Sequence, residues 1–210
     1  MVDTSVPYKR ILMKLDASEN IPRPDAELPE HYHFRGYQSG DAEHWARIET
    51  SVGEFKTEED ALAYYAKLFL PHEEQLPQRC IFICSPAGIP IATGSAWFCF
   101  KDGVKHSQLH WIAVHPEHQK KGLGRAVVQK VLSVFNETAP NDDVYLATQT
   151  WSHEAVRLYH RLGFRIMRED FPQLYVPRTA AAPYDIAPAL DILREIYDPQ
   201  LFKEIQERIV

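Results

Sequence analysis

The stretch LHWIAVHPEHQKKGLGR, residues 109–125, joins an apolar, strand-like run to a glycine-rich and basic segment. Gly122 and Gly124 lie on either side of a single leucine. Three bases surround these glycines: Lys120, Lys121 and Arg125. No acidic residue occurs from 118 to 134, although the formal net charge of the chain is -6. Because glycine lets backbone N–H groups converge and a helix N-terminus adds partial positive charge, a strand, a glycine turn and a helix together favour phosphate binding.

Two common phosphate-binding patterns do not fit this segment. A P-loop requires Gly-Lys-Ser/Thr at a fixed spacing, and that sequence is missing here. A dinucleotide-binding turn requires a third glycine and a parallel βαβ unit, whereas the strands before residue 115 are predicted to be antiparallel. An alternative interpretation is a helix start that uses glycine for close packing, with the lysines on a solvated face.

Hydrophobic periodicity predicts short strands that alternate with amphipathic helices. Strand patterns cover 31–38, 79–85, 89–100, 107–114 and 144–148. Helical patterns cover 42–50, 57–69, the stretch from the glycine segment to residue 135, 152–162 and 186–209. Gly163 is predicted to end the helix at 152–162 in a left-handed conformation. The fold class predicted is α/β (α+β), with a mixed, mostly antiparallel central sheet and flanking helices.

Three regions follow from these patterns. Residues 1–30 form an irregular N-terminal extension, in which 9–15 has the pattern of a short strand and Pro22 and Pro24 impose extended backbone. Residues 31–176 form the main domain. Residues 177–210 form an Ala/Pro linker and a C-terminal helix that packs on the domain or extends from it. This C-terminal segment offers a surface for self-association, which would make a homodimer.

Composition excludes several classes of protein. The 210 residues are 45% hydrophobic and 25% charged, which is typical of one soluble globular domain. No apolar run reaches the roughly 20 residues of a membrane span, and the N-terminal MVDTSVPYKR is not a secretory signal. The mild acidity argues against nucleic-acid binding.

The three cysteines indicate a compartment. Cys80, Cys84 and Cys99 lie in apolar runs, which predicts buried free thiols in a reducing cytoplasm. We expect no metal site, because the two cysteines at 80 and 84 lack a matching His/Cys pair downstream.

Three motifs, in the right order, resemble the Gcn5-related N-acetyltransferase (GNAT) superfamily. Gln119, Gly122 and Gly124 fit its [QR]-x-x-G-x-[GA] signature, and residues 113–116, AVHP, fit its apolar-Val-x-Pro lead-in. The sequence YHRLGF, residues 159–164, resembles the family's Y-x-x-x-G-F helix ending. The resemblance covers about residues 31–176.

The resemblance implies that acetyl-CoA binds where the strand before the signature splays from the next strand. Backbone groups of three residues would then contact the pantetheine arm: Ile112, Ala113 and Val114. The pyrophosphate would lie on the segment Lys120, Lys121, Gly122, Leu123, Gly124 and Arg125. Ser152 stands where many relatives carry Asn, and it either hydrogen-bonds the pantetheine arm or serves only as a helix N-cap.

The resemblance also implies direct acetyl transfer to an amine, with Tyr159 as the acid that protonates the departing sulfur. From periodicity alone, an aromatic residue beside Leu158 and Leu162 is a core residue more often than a catalyst. The family's usual Glu bases are missing, and His110 is the best local candidate, because its ordinary pKa suits proton removal near neutrality. The alternative is a structural strand histidine. Glu49 and Glu54 are weaker candidates on the acceptor side.

The acceptor region is acidic. Residues 39–75 hold nine acids and three bases, which attract a cationic amine or simply decorate solvated helix faces. Several aromatic residues line a pocket or form core: Tyr64, Tyr65, Phe69, Trp97 and Trp151. The predicted function is an acetyl-CoA-dependent N-acetyltransferase for a primary amine of a small molecule or peptide. The alternative is a non-catalytic acyl-CoA-binding module.

Overall fold

The computed structural model describes residues 2–19, 27–171 and 183–210. The expected extended segment at 22–24 and nearly all of the expected Ala/Pro linker at 179–183 lie outside these residues. None of the helices in the described part of the chain is long and apolar enough to cross a membrane.

Seven strands form one mixed sheet in the described residues. They are β1 Arg10–Leu15, β2 His33–Gly36, β3 Cys80–Cys84, β4 Pro90–Lys101, β5 Val104–Val114, β6 Val144–Gln149 and β7 Arg165–Ile166. The strand order is β2-β3-β4-β5-β6-β1-β7. The pairings β1 with β6, β1 with β7, β2 with β3 and β3 with β4 are antiparallel, whereas β5 pairs with β6 in parallel. The predicted fold class is confirmed.

The helices lie largely where the periodicity predicts them. They are α1 Ala42–Ser51, α2 Glu58–Leu68, α3 Leu76–Arg79, α4 Leu123–Thr138, α5 His153–Arg161, α6 Ala187–Ile196 and α7 Pro199–Glu207. The hydroxyl of Thr57 caps α2 by accepting the N–H of Asp60 at 3.1 Å. The first turn of α2 is acidic, which suits the positive end of a helix.

The described residues divide into two compact units. The first unit contains residues 27–97 and 109–140, and the second contains 2–19, 98–108, 141–171 and 183–210. Strands β4 and β5 each carry residues of both units.

Each unit has its own apolar core. In the first, all five residues of β3 are buried, and Ile83 packs in a cluster with Leu123 and Val127 of α4. In the second, Leu12, Cys99 and Phe171 form a buried cluster.

An ion pair fixes the start of α1 in the first unit. The guanidinium of Arg35 in β2 donates to both carboxylate oxygens of Asp41, at 2.7 and 2.9 Å. The same carboxylate accepts the backbone N–H of Gln38 at 2.6 Å. Because Asp41 is the residue before α1, this paired carboxylate orients the helix relative to β2.

The strand pattern at residues 9–15 is confirmed, but its place in the fold is central rather than peripheral. Strand β1 pairs with both β6 and β7 in the second unit, so it is an interior strand of the sheet. Four of its six residues are buried, including the three consecutive residues 11–13. A strand that is buried on both faces lacks the alternation of apolar and polar residues. The sequence of 10–15 therefore could not show that this strand lies inside the sheet.

The expectation of one helix over 186–209 is wrong, because two helices occupy this region. Helix α6 ends at Ile196, and Asp198 starts α7 by accepting the N–H of Leu201 at 3.0 Å. Pro199 has no N–H to donate, which makes it a good first residue of a helix and a poor interior one. After α7 the chain reaches β7. The N–H of Val210 donates to the carbonyl of Ile166 at 2.9 Å, and the N–H of Arg168 donates to the carbonyl of Val210 at 2.6 Å.

Candidate functional site

The glycine segment is tied to the end of β5 by one side chain. The Gln119 amide donates from Nε2 to the carbonyl oxygen of Val114 at 2.9 Å. A short 3-10 helix, Pro116–His118, makes the turn between them. Lys120 and Gly122 then adopt left-handed backbone, with φ of 61° and 80°. The glutamine of the signature therefore positions the turn into α4.

Helix α4 begins without a side-chain cap. Its N-cap residue is Gly122, which has no side chain to accept a hydrogen bond. The first intrahelical bond runs from the N–H of Ala126 to the carbonyl of Gly122 at 3.1 Å. The backbone N–H groups of residues 123–125 precede this bond and have no acceptor within the helix. They are suited to an external anion.

The side chains around this helix start have two different roles. Leu123 is 1% exposed and packs in the core of the first unit, so its side chain does not face a ligand. Lys120, Lys121 and Arg125 are exposed. The segment therefore anchors a helix in the core and also presents positive charge to solvent, so it has features of both predicted interpretations.

A polar group that the sequence did not reveal lies beside Lys121. Its Nζ donates to the hydroxyl of Tyr32 at 3.2 Å, and that hydroxyl lies 2.9 Å from Nδ1 of His118. Burial, and then the positive charge of Lys121, lower the pKa of His118. Tyr32 precedes Lys121 by 89 residues, and no local pattern marks it as a partner of the glycine segment.

The last residues of β5 are largely buried. Ala113 and Val114 are buried, and Ile112 is partly buried against the core cluster that contains Leu123. The carbonyl of Val114 already accepts the hydrogen bond from Gln119. Contacts of this strand with a pantetheine arm would therefore be made by backbone groups rather than side chains.

Strand alternation is interrupted at Trp111. This residue has a φ of 49°, which is left-handed and rare for a large side chain. Alternation would place His110 and Trp111 on opposite faces of β5. Instead, the ring of His110 lies 6.4 Å from that of Phe69, the ring of Trp111 lies 5.4 Å from that of Trp45, and the Trp45 and Phe69 rings are themselves 5.7 Å apart. Both consecutive side chains thus reach one aromatic cluster.

The expectation that His110 has an ordinary pKa is wrong. Burial lowers the pKa of His110 to about 3. Its Nδ1 is buried and has no hydrogen-bond partner among the described residues. The imidazole is therefore neutral at physiological pH and would release at once any proton that it accepts.

Tyr159 lies at the end of α5, in a left-handed helix termination in the second unit. Gly163 has a φ of 102°, its N–H donates to the carbonyl of His160, and the N–H of Phe164 donates to the carbonyl of Tyr159, each at 3.0 Å. These two bonds and the 5.8 Å contact between the rings of Tyr159 and Phe164 form a Schellman motif. The predicted end of this helix at Gly163 is confirmed, and the YHRLGF sequence has a structural reason.

Ser152 occupies the N-cap position of α5 but does not cap it with its side chain. Its hydroxyl instead accepts a hydrogen bond from Nε2 of Gln149 at 3.2 Å. The prediction of a capping serine is therefore correct in position and wrong in the bond made. Tyr197 donates its hydroxyl to the carbonyl of His153, so the C-terminal region contacts the start of this helix.

The cysteines are buried free thiols, as predicted. Burial raises the pKa of both Cys80 and Cys99 to about 12, so neither is a thiolate at neutral pH. Among the residues that the structure describes, no group of three or more His, Cys, Asp or Glu could hold a metal ion.

Comparison with known proteins identifies the family. The sequence model of the acetyltransferase (GNAT) family matches residues 41–164, more than half of the chain. The chain belongs to the GNAT family. The matched range begins at the residue before α1, includes the glycine segment, and ends at Phe164, which closes the Schellman motif of α5.

Two curated relatives are bacterial. The chain is 31% identical over 90 residues to an L-methionine sulfoximine/L-methionine sulfone acetyltransferase of Salmonella typhimurium, covering 41% of this chain and 51% of the relative. It is 30% identical over 88 residues to the L-amino acid N-acyltransferase MnaT of Escherichia coli, covering 40% of this chain and 49% of the relative. The chain thus spans about half the length of these relatives.

Solved structures share the GNAT fold. A GCN5-related N-acetyltransferase from Sphaerobacter thermophilus aligns with a TM-score of 0.57 and 22% identity, covering 77% of this chain and 49% of that chain. A GNAT-family acetyltransferase from Colwellia psychrerythraea aligns with a TM-score of 0.56 and 12% identity, covering 77% and 54%. At such identities the likeness shows the fold alone.

The neutral imidazole of His110 predicts a pH dependence of stability. Below its ordinary pKa of about 6.5, a histidine in the unfolded chain binds a proton that folded His110 does not bind until about pH 3. The free energy of unfolding should therefore fall as the pH falls through this range, by up to about 1.4 kcal/mol per pH unit. Between pH 7.5 and 5.5, urea unfolding should show a loss about 1 kcal/mol larger for the wild type than for His110→Gln.

His33 supplies the matched control, because it is an exposed strand histidine. His33→Gln should keep the wild-type pH dependence. A His110→Gln variant that loses as much stability as the wild type over this interval would show that the imidazole of His110 is not kept neutral by the fold.

Proposed function

We propose that this GNAT chain is an acetyl-CoA-dependent N-acetyltransferase that transfers the acetyl group directly to a primary amine of a small molecule or peptide. The uncapped start of α4, with exposed bases at 120, 121 and 125, carries the proposal. The Salmonella relative is an acetyltransferase for L-methionine sulfoximine and L-methionine sulfone, and the E. coli relative is an L-amino acid N-acyltransferase; both support the reaction class.

The residues proposed to hold acetyl-CoA act mainly through their backbone. The N–H groups of Leu123, Gly124 and Arg125 would receive the pyrophosphate, and the side chains of Lys120 and Lys121 would add Coulomb attraction. The polyanionic co-substrate would explain why a chain of net charge -6 concentrates bases there. Backbone groups of 112–114 would bind the pantetheine amides, and the hydroxyl of Ser152 remains a proposed contact of the same arm.

In the proposed reaction the amine nitrogen attacks the thioester carbonyl. A C–N bond forms, the C–S bond breaks, one proton leaves the nitrogen and one proton reaches the sulfur. Tyr159 is proposed to donate the proton to the departing sulfur and to regain one from solvent. Direct transfer is supported by the protonated state of the buried cysteines, since a covalent acyl-cysteine route needs a thiolate nucleophile.

His110 is proposed to act in this scheme as a proton relay, and not as a general base that stays protonated. With its pKa near 3, a neutral imidazole can accept the amine proton only transiently, and it must pass the proton on to solvent. Titration of His110 should therefore not produce a fall in kcat near pH 6.5 as the pH is lowered.

A second candidate function is a non-catalytic acyl-CoA-binding module. It is favoured by Ser152, which stands where the family resemblance implies Asn and whose hydroxyl accepts a hydrogen bond from Gln149. A cytoplasmic location is part of our proposal for either function, and the buried free thiols support it. A homodimer through the C-terminal helices stays a prediction.

Thiol release from acetyl-CoA, measured with a panel of primary amines, tests the proposed function. An N-acetyltransferase should release CoA only when an amine is present, and one acetylated amine should form per CoA. The binding module should bind acetyl-CoA in calorimetry yet release no CoA above spontaneous hydrolysis with any amine.

Gly124→Asp should weaken acetyl-CoA binding and leave the fold intact. The new carboxylate would lie in the first turn of α4, where it would repel the pyrophosphate and yet suit the helix dipole. We expect the Kd for acetyl-CoA in titration calorimetry to rise about 10- to 100-fold. Gln129→Glu makes the same change of charge farther along α4 and should leave the Kd unchanged. Equal affinity of a folded Gly124→Asp protein would exclude this helix start as the phosphate site.

Tyr159→Phe should lower kcat by about 10²- to 10⁴-fold, the range expected for loss of a general acid. The phenylalanine keeps the ring that contacts Phe164, so the thermal midpoint should change little. Acetyl-CoA affinity should also be nearly unchanged. Tyr145→Phe removes a hydroxyl elsewhere in the second unit and should leave kcat at the wild-type value. Normal turnover by Tyr159→Phe, with chemistry rate-limiting, would leave Tyr159 a purely structural residue.

A further inference from the structure

The short 3-10 helix that leads into α5, Thr150–Ser152, is bonded to residues 3–9, which precede β1 in the second unit. The N–H of Thr150 donates to the carbonyl of Lys9 at 2.9 Å, which continues the antiparallel pairing of β1 with β6 by one residue. The N–H of Lys9 donates to the hydroxyl of Thr150 at 2.9 Å, and this hydroxyl donates to the carbonyl of Pro7 at 2.6 Å. We call residues 3–9 the N-terminal strap.

Further contacts extend the N-terminal strap to the first residue of α5. The N–H of Asp3 donates to the carbonyl of Trp151 at 2.8 Å, and the indole Nε1 of Trp151 donates to the carbonyl of Val6 at 2.8 Å. One carboxylate oxygen of Asp3 lies 3.5 Å from Nε2 of His153, where α5 begins. The strap therefore follows the chain from Thr150 to His153.

Tyr197, which directly follows α6, contacts the same place from the C-terminal region. Its hydroxyl donates to the carbonyl of His153 at 2.5 Å, and the two rings lie 6.4 Å apart. Burial raises the pKa of Tyr197, so the hydroxyl stays protonated and able to donate. His153 is thus held by the N-terminal strap and by Tyr197.

These contacts fix the start of a helix that lacks a capping side chain. The hydroxyl of Ser152, the N-cap residue, does not bond to α5 and accepts a hydrogen bond from Gln149 instead. The Schellman motif at Gly163 fixes the other end of the helix. With both ends held, the direction of this nine-residue helix is set within the second unit.

The contacts at the start of α5 come from outside the part of the chain that matches the GNAT family. The matched range, residues 41–164, includes Ser152 and Tyr159 but neither the N-terminal strap nor Tyr197. Helix α5, which carries the proposed acid, is therefore held by residues that the family match does not include.

We infer that the N-terminal strap and Tyr197 position Tyr159 for acetyl transfer by holding helix α5. The inference rests on the proposed function, in which Tyr159 is the acid. Tyr159 is six residues after His153, which corresponds to about 9 Å along the helix axis, so a change in the direction of α5 displaces it. A displacement of about 1 Å at a reacting group can lower a rate about 100-fold. The strap and Tyr197 would thus affect the rate without touching the reacting atoms.

Loss of two hydroxyl groups tests this inference in the full chain. Thr150→Val removes the hydroxyl that bonds to the strap, and Tyr197→Phe removes the donor to His153. In the double variant we expect kcat to fall about 10- to 100-fold. The Kd for acetyl-CoA should stay within about twofold of the wild-type value, because the proposed phosphate contacts belong to α4. Amide hydrogen exchange in residues 153–161 should become faster.

Tyr184→Phe combined with Ser107→Ala is the matched control. The hydroxyl of Tyr184 accepts the N–H of Leu12 and donates to the carbonyl of Met167, and the hydroxyl of Ser107 donates to Asp142. This double variant therefore also removes a tyrosine hydroxyl and a small hydroxyl from the second unit, but neither bonds to α5. We expect a lower thermal midpoint, with kcat and the hydrogen exchange of residues 153–161 unchanged.

The same substitutions in a Tyr159→Phe background separate positioning from a general loss of stability. If the strap and Tyr197 act through Tyr159, Thr150→Val with Tyr197→Phe should lower kcat no further once the hydroxyl of Tyr159 is gone. An equal fold-loss in both backgrounds, or a normal kcat with Tyr159 present, would overturn the inference and leave the proposed function standing. A wild-type protein that releases no CoA with any amine would overturn both.

Discussion

The hydrogen bond from Gln119 to the carbonyl of Val114 sets the geometry on which the rest of the first unit depends. It fixes the turn between β5 and α4, and the left-handed Gly122 then starts the helix without a cap. Leu123, the first residue of that helix, is buried in the core. One side-chain amide therefore couples core packing to a helix start that has no side-chain cap. The glycine segment does not have to be either structural or functional, since the same backbone serves both purposes.

Burial, as well as sequence, determines which side chains of this protein carry a charge. The buried imidazole of His110 and the buried thiols of Cys80 and Cys99 are all held in their neutral forms, because desolvation disfavours the charged ones. Two stretches of the chain differ in charge, with bases at 120–125 and an excess of acids at 39–75. A polyanion and a cation would thus be directed to different segments.

Much of the fold could be predicted from the sequence because its signals are local. Thr57 caps α2 and Gly163 ends α5 as their patterns indicate. The features that were missed depend on contacts distant in sequence or on unusual backbone. The role of β1 as an interior strand follows from pairing with β6 and β7, and Tyr32 meets Lys121 across 89 residues. The lowered pKa of His110 required knowledge of its burial, and the left-handed Trp111 has no sequence signature.

The last described residue gives the sheet a property that none of its internal packing provides. Strand β7 is an edge strand of the sheet and has only two residues. The backbone of Val210 hydrogen-bonds to Ile166, the last residue of β7, and to Arg168, two residues beyond it. An uncovered strand edge is a template on which other chains can add. By occupying these groups, the chain shields its own edge from intermolecular β-pairing, so removal of the residues around Val210 would create an aggregation hazard.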